Sequence, residues 1–496
     1  MSNMKSLAKD TAIYGISSIV GRFLNYLLVP LYTVTFTAAS GGYGVVTNVY
    51  SWTALLFVLL TYGMETGFFR FANKSGENAK KVYSTILISV AVSTLIFLLL
   101  AFQFLHPISS FLGYSGHPEY IGMMLVVVGL DAFLSIPFAY LRQQKRPVKF
   151  ASIKLFFVFS NILLNLFFLL LCPVLLRHYP EAMSWYDPQY GVGYVFVANL
   201  ITTILQFFFF IPELKGFAYG FDAALLKRIL RYSFPILILG VVGILNQTID
   251  KILFPFLLEN TDYAKSQLGI YGAASKIAMI LAMCTQAFRY AYEPFVFGKN
   301  KEGDNRGVYA KAMKFFVIFA LLAFLVVMFY LDLIKYIIAP DYWPGLQVVP
   351  IVMAAEVCMG IYFNLSFWYK LIDETKWGAW FSLIGCMIII FLNVFFVPVY
   401  GYVACAWAGL IGYLVITLLS YFVGQKKFPI KYDIKGIATY ILLAGILYIL
   451  SIMVEIDHII IRLLFRTLLL IVFIGYLVKK DLPLKEIPFV NKLIKK

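Results

Sequence analysis

Apolar runs of about twenty residues or more recur along the whole chain, and the polar loops between them never lengthen into a soluble domain. Each run is long enough to cross a hydrocarbon core of roughly 30 Å as a helix. Inside lipid every backbone N–H and C=O must bond within the protein, so such runs are expected as helices. Fourteen runs stand out, at 11–36, 43–69, 82–105, 120–141, 150–176 and 191–211, then 233–258, 268–297, 312–338, 346–371, 377–397 and 402–423, and finally 436–454 and 459–478. The predicted fold is an all-α polytopic membrane protein with fourteen transmembrane helices. Only 13% of the residues are charged, against about 25% in ordinary soluble domains.

The formal net charge of +16 would suit a nucleic-acid binder, but the positions of the 41 Lys and Arg argue otherwise. The loops RFANKSGENAKK, RQQKRPVK, GKNKEGDNRGVYAK and GQKKFPIKYDIK fall on the same side as the two tails MSNMKSLAK and KKDLPLKEIPFVNKLIKK. The opposite loops hold only Arg177 and Lys265. This asymmetry places the basic side, with both termini, in the cytoplasm. It implies attraction to anionic membrane lipid and no role in binding nucleic acid. The first run is too long for the core of a cleavable signal peptide. Cys172, Cys284, Cys358, Cys386 and Cys405 lie in apolar stretches without CxxC spacing and read as packed hydrophobes, so no metal site is expected.

The chain also repeats itself. GGYGVVTNVYSWTALLF (41–57) aligns with GIYGAASKIAMILAMCT (269–285), Tyr43-Gly44 matching Tyr271-Gly272 at an offset of 228 residues. At that offset Arg22 falls on Asp250. Six runs per repeat is an even number, so the two copies run parallel about an axis along the membrane normal. The expected organisation is two pseudo-symmetric six-helix lobes (1–214 and 215–435), two added helices (436–478) and a basic cytoplasmic tail (479–496).

Charges inside the runs are the candidate functional residues, because an intramembrane cation costs about 2.5–3.5 kcal/mol unless it is paired or lines a wet cavity. Arg22 sits near the middle of the first run and shares a helix face with Gly15, Ser18 and Asn25. In the eighth run Lys276, Met279, Met283, Gln286, Tyr290 and Glu293 step by three and four onto one face, with Arg289 adjacent. Lys276 is expected roughly 12 Å below the outer surface. In the seventh run Asn246 and Asp250 lie one turn apart, and Asp250 can pair with Lys276, with Arg22 or with a transported cation. Its neighbour Lys251 points about 100° away and reads as a boundary or packing residue. Glu65, Asp131 and Glu356 are further intramembrane acids, candidates for carrying a proton or for hydrogen bonding to neighbouring helices. An enzyme would need clustered polar groups at a surface. His106, His117, His178, Glu181, Asp187 and His458 are scattered, and the chain contains no HExxH, GxSxG or Walker motif.

Two stretches of the first half, LAKDTAIYGISSIVGRFLNYLLVPLYT and GGYGVVTNVYSWTALLFVLLTYGMETGFFRF, resemble the bacterial polysaccharide flippases of the multidrug/oligosaccharidyl-lipid/polysaccharide exporter superfamily. LGIYGAASKIAMIL and APDYWPGLQVVPIVMAAEVCMGIYFNL resemble the matching parts of its second half. The resemblance implies a two-lobed bundle in the bacterial inner membrane that opens alternately to each side without a cofactor. The implied cargo, an oligosaccharide on a polyprenyl pyrophosphate, moves from the inner to the outer leaflet. Arg22, Lys276 and Arg289 would hold the anionic head, since the planar guanidinium fork offers paired donors to phosphate oxygens. Ser18, Asn25, Asn246, Gln286 and Tyr290 would line the cavity. Asp250, Glu65, Asp131 and Glu356 would pair charges or couple to H⁺ or Na⁺, and the polysaccharide polymerase machinery is the implied protein partner. Three alternatives stand beside this reading: a cation-coupled multidrug exporter, a peptidoglycan-precursor flippase of the same superfamily, and a membrane polymerase or ligase.

Overall fold

The computed structural model describes residues 20, 21, 23, 24, 26–74, 76–299 and 306–481, with 290–299 as backbone only. The described chain is helical without strands. Among the described residues twelve helices are long and apolar enough to cross a membrane, or thirteen when one bent pair is counted as a span. The first expected run lies partly outside the described residues, and its last two turns form the helix Leu28–Thr35. Apolar side chains on the helix exteriors stay uncovered, among them Leu99, Leu163, Phe391, Leu442 and Leu464. Exteriors of this kind are stable against lipid and not against water.

Several runs are broken where the sequence reads as continuous. The second is Gly42–Thr61 followed by Met64–Ala72, with Tyr62 at φ +32° and Gly63 at φ +73° between them. Gly63 is required twice over, for its left-handed φ and because a Cβ there would lie 2.9 Å from the Ser233 carbonyl oxygen. The fifth run passes through a π-helical turn, Phe167–Leu171, and the Tyr186 hydroxyl donates to the Phe168 carbonyl at 2.9 Å. The sixth run, expected to end at 211, is Gly193–Phe208 bent by 59° into a 3₁₀ segment, Ile211–Tyr219. Pro212 cannot continue an α-helical ladder, and Gly220 at φ +89° ends the segment.

The chain forms two compact units. The first comprises 1–276, 338–345 and 382–412. One of its cores is built from Met64, Phe68, Tyr83, Ile86, Leu134 and Phe210, another from Val49, Tyr120, Met124 and Phe196.

The second unit comprises 277–337, 346–381 and 413–496. Here the last two helices, Ile434–Met453 and Ile459–Lys480, are tied to the ninth span, Arg306–Phe329. At one end Lys314 Nζ bonds Asp433 Oδ2 at 2.8 Å and Asp481 Oδ1 at 2.5 Å, and the Tyr440 hydroxyl donates to Asp481 Oδ2 at 2.7 Å. Asp433 also caps its helix by accepting from the Gly436 N–H at 2.9 Å. The Lys314 ammonium and this cap hold the Asp433 carboxyl below its ordinary value of 3.8. At the other end Asp332 Oδ2 takes Arg466 Nη1 at 2.8 Å and Arg462 Nε at 2.9 Å.

Candidate functional site

The best-defined intramembrane charge cluster lies in the first unit, on the seventh span Ala223–Leu257 and the eighth span Thr261–Arg289. Asp250 is buried, and the Tyr271 hydroxyl donates to its Oδ2 at 2.7 Å. Lys251 Nζ sits 3.0 Å from both carboxylate oxygens and donates to the Gln247 carbonyl at 3.1 Å. The reading of Lys251 as a packing residue is therefore corrected. Adjacent Cβ atoms diverge by about 100°, but a four-carbon stem is long enough to curl its ammonium back onto the neighbouring carboxylate. Among the described residues Asp250 is thus occupied by Lys251 and Tyr271, not by Lys276.

Lys276 is an electrostatic neighbour of Lys251. The eighth helix begins at Thr261 rather than 268, its added first turns (TDYAKSQ) being polar, and Lys276 lies about midway along the 29 residues Thr261–Arg289. Among the described residues it makes no ion pair. Among the described residues, then, two lysines of this cluster stand against the single carboxylate of Asp250, and Lys251 holds it.

The predicted polar face of the eighth helix is its less packed face. Ile277, Ala278 and Leu281 are fully buried, whereas Met279 is 38% exposed and Gln286 half-buried. Further along, in the second unit, the Arg289 guanidinium lies 4.2 Å over the Phe363 ring. Tyr290 continues the helix, and its side chain lies outside the described residues, as do Ser18, Arg22 and Asn25.

Asn246 donates to the Val242 and Ser382 carbonyls at 3.0 and 2.9 Å, joining the seventh and eleventh spans. Asn48, which sequence reasoning missed, is almost completely buried. Its Nδ2 donates to the Lys251 carbonyl at 2.8 Å and its Oδ1 accepts from the Tyr114 hydroxyl at 2.9 Å. Asn48 was legible as the repeat partner of Lys276, at the same 228-residue offset.

The two copies of the repeat motif pack on one another. A Cβ on Gly44 would run into the Lys265 carbonyl oxygen, and one on Gly269 would lie 3.1 Å from the Gly44 nitrogen. One on Gly272 would meet Thr47 Oγ1 at 2.5 Å. Small residues here let two helix backbones approach closely. Gly44 and Gly272 are the same position of the two copies, and each is pressed against the helix that carries the other.

The remaining acids separate. Asp131 is half-buried in the N-terminal bundle, an electrostatic neighbour of Lys154 and Tyr50, and Tyr50 Oη accepts from Asn199 Nδ2 at 2.7 Å. In the same unit the Tyr32 hydroxyl donates to Asn165 Oδ1 at 3.0 Å. Glu65 is half-buried and pairs with Arg142 Nη1 at 2.5 Å, an ion pair in the first turn of Met64–Ala72. Glu356 is half-buried on the helix Val349–Leu365 of the second unit. Among the described residues no three His, Cys, Asp or Glu side chains gather as a metal site would need.

The family described as "Polysaccharide biosynthesis protein" matches residues 7–289. Curated proteins yield no match. Among solved structures the chain is similar to "Lipid II flippase MurJ, inward closed conformation", with a TM-score of 0.72 at 16% identity over 94% of this chain and 98% of that one. It is also similar to an "Inward-facing conformation of a multidrug resistance MATE family transporter of the MOP superfamily", with a TM-score of 0.61 at 15% identity over 81% and 93%. A third is the "MATE multidrug transporter DinF-BH", with a TM-score of 0.59 at 18% identity over 85% and 96%. At these identities the likeness is one of fold.

Proposed function

Because the chain belongs to the polysaccharide biosynthesis protein family of the multidrug/oligosaccharidyl-lipid/polysaccharide exporter superfamily, we propose that it is a flippase for a polyprenyl-pyrophosphate-linked oligosaccharide. The cargo passes from the inner to the outer leaflet of a bacterial cytoplasmic membrane, with both termini on the cytoplasmic side. The observation that carries this reading is the intramembrane lysine Lys276, which makes no ion pair among the described residues, beside the Lys251–Asp250 pair. A cationic drug would be repelled there, whereas a pyrophosphate head would be stabilised.

In this reading the lobes are 1–214 and 215–435, and Arg22, Lys276 and Arg289 share the anionic head. Ser18, Asn25, Asn246, Gln286 and Tyr290 line its path. Asp250 holds Lys251 neutralised while the cavity is empty. Asp131, half-buried beside Tyr50 and Lys154, is the first candidate for coupling to H⁺ or Na⁺, ahead of Glu356 and of Glu65, which is paired with Arg142.

The test uses cells lacking this chain with the surface-glycan pathway running, in which the leaflet location of polyprenyl-pyrophosphate oligosaccharide is measured. Build-up on the cytoplasmic leaflet, reversed by the wild-type chain and not by Arg22→Ala, supports the assignment. New sensitivity to cationic dyes without build-up moves the chain to the multidrug branch. Build-up of the lipid-linked peptidoglycan precursor instead moves it to the branch of its MurJ-like structural neighbour.

A further inference from the structure

The turn between the fourth and fifth spans has an unusual economy. The helix Pro118–Gln143 ends in a double C-terminal cap: the Lys145 N–H donates to the Arg142 carbonyl at 3.1 Å and the Arg146 N–H to the Leu141 carbonyl at 3.0 Å. This motif puts its first residue past the cap in the left-handed region, where glycine is the usual occupant. Here the position is Lys145, at φ +54°. Glycine would take the same backbone without strain, whereas the lysine places an ammonium at this exposed turn.

Next to this turn lies a cavity of about 170 Å³, lined by Tyr140, Gln144, Arg146, Pro212, Glu213 and Tyr219. Its far wall is the bent 3₁₀ segment of the sixth run. That wall is held close by Gly216, where a Cβ would run into the Tyr83 ring, and Tyr83 in turn stacks on Tyr140 with centroids 4.0 Å apart. Glu213 is the one acid of the lining, and it is neutralised: Lys149 Nζ binds its two oxygens at 2.7 and 2.9 Å. Arg142 is spent on Glu65. Among the described residues neither Lys145 nor Arg146 has an ion pair or a side-chain hydrogen bond. The cavity therefore presents a net positive mouth, an unspent guanidinium fork and two tyrosine rings at the end of the spans.

We propose that this cavity is a docking site for the phosphate ester of a membrane lipid at the headgroup plane, with Arg146 as the direct ligand and Lys145 as the attracting charge. The assignment rests on the reading above that the basic loops face the cytoplasm, where anionic headgroups and the cargo's pyrophosphate are both within reach. Arg146 binds phosphate oxygens through paired N–H donors, and the Tyr140 and Tyr219 rings pack against the glycerol or sugar that follows the phosphate.

The test measures lipid retained on the full-length protein by native mass spectrometry. The protein is released from phosphatidylethanolamine nanodiscs carrying either phosphatidylglycerol or polyprenyl pyrophosphate as the minor lipid. Arg146→Gln should lower retention about tenfold and Lys145→Gly about fivefold. Lys145→Gly should at the same time raise the melting temperature slightly, by about one degree, because glycine relieves the strain. Loss in both lipids identifies an ordinary anionic headgroup as the ligand, and loss in the polyprenyl lipid alone identifies the cargo. Unchanged retention in both variants overturns the site. So does an equal loss in Lys426→Gln, an exposed cation outside the cavity, which would reveal only diffuse attraction to a basic surface. Retention is measured without turnover, so this inference and the flippase assignment fail separately.

Discussion

Tyr271 and Asp250 are joined by a buried 2.7 Å hydrogen bond between neighbouring spans, and it is donated by the tyrosine of the repeated Tyr-Gly motif. The same motif therefore supplies both the glycine of the helix crossing and the donor that orients the intramembrane carboxylate. Tyr271→Phe removes a hydrogen bond to a charged group and should lower the stability of the purified protein by about 1.5–3 kcal/mol. Asp250→Ala leaves the Lys251 ammonium without its partner and should cost more, about 3–5 kcal/mol. Thermal unfolding in one detergent, compared across the two variants, checks both the sign and the order.

Lys276 is expected to act through its charge. Lys276→Ala should abolish cargo turnover while leaving the protein in the membrane, whereas Lys276→Arg should retain part of it. Leaflet-resolved measurement of the lipid-linked oligosaccharide decides the matter. Normal turnover in Lys276→Ala at normal expression would remove it from the anion site.

The glycine crossing tolerates no side chain. Gly44→Val and Gly272→Leu should prevent the second and eighth spans from closing and reduce folded protein recovered from membranes. Gly243→Ala is the control, because a Cβ there meets nothing within 4 Å and alanine favours the helix by about 0.8–1 kcal/mol. Fluorescence-detected size-exclusion profiles of the three variants separate the two outcomes.

The clamp on the last two helices should weaken in acid. Asp433 has a folded-state pKa below its ordinary 3.8, so its contribution is present above that value and is lost as pH falls through the lower, folded one. Melting temperatures measured from neutral pH downward should therefore drop more steeply below about pH 4 in the wild type than in Asp433→Asn. Parallel curves would show that Lys314 draws its stability from Asp481 alone.

Much of the architecture was legible in the residues themselves. Runs such as 82–105 and 436–454 became helices within a few residues of their expected bounds, Ala79–Gln103 and Ile434–Met453. Transfer into lipid is a local energy, summed residue by residue along one segment, and a sequence states it directly. The Tyr-Gly repeat was equally visible, as were the intramembrane positions of Asp250 and Lys276.

What only the tertiary structure decided were the partners. Nothing in the spacing of the seventh span says that Lys251 curls back onto Asp250, or that Tyr271 of another helix reaches the same carboxylate. The break at Tyr62 and Gly63 depends on the approach of Ser233, and the bent wall of the sixth run on Tyr83 filling the space left by Gly216. A hydrogen bond or a close backbone contact is won or lost within about an ångström. That precision is set by how distant helices pack, which no single segment encodes. The sequence by itself determined that this chain crosses the membrane many times with charges buried in it; packing determined which of the described charges pair with each other, as Lys251 does with Asp250.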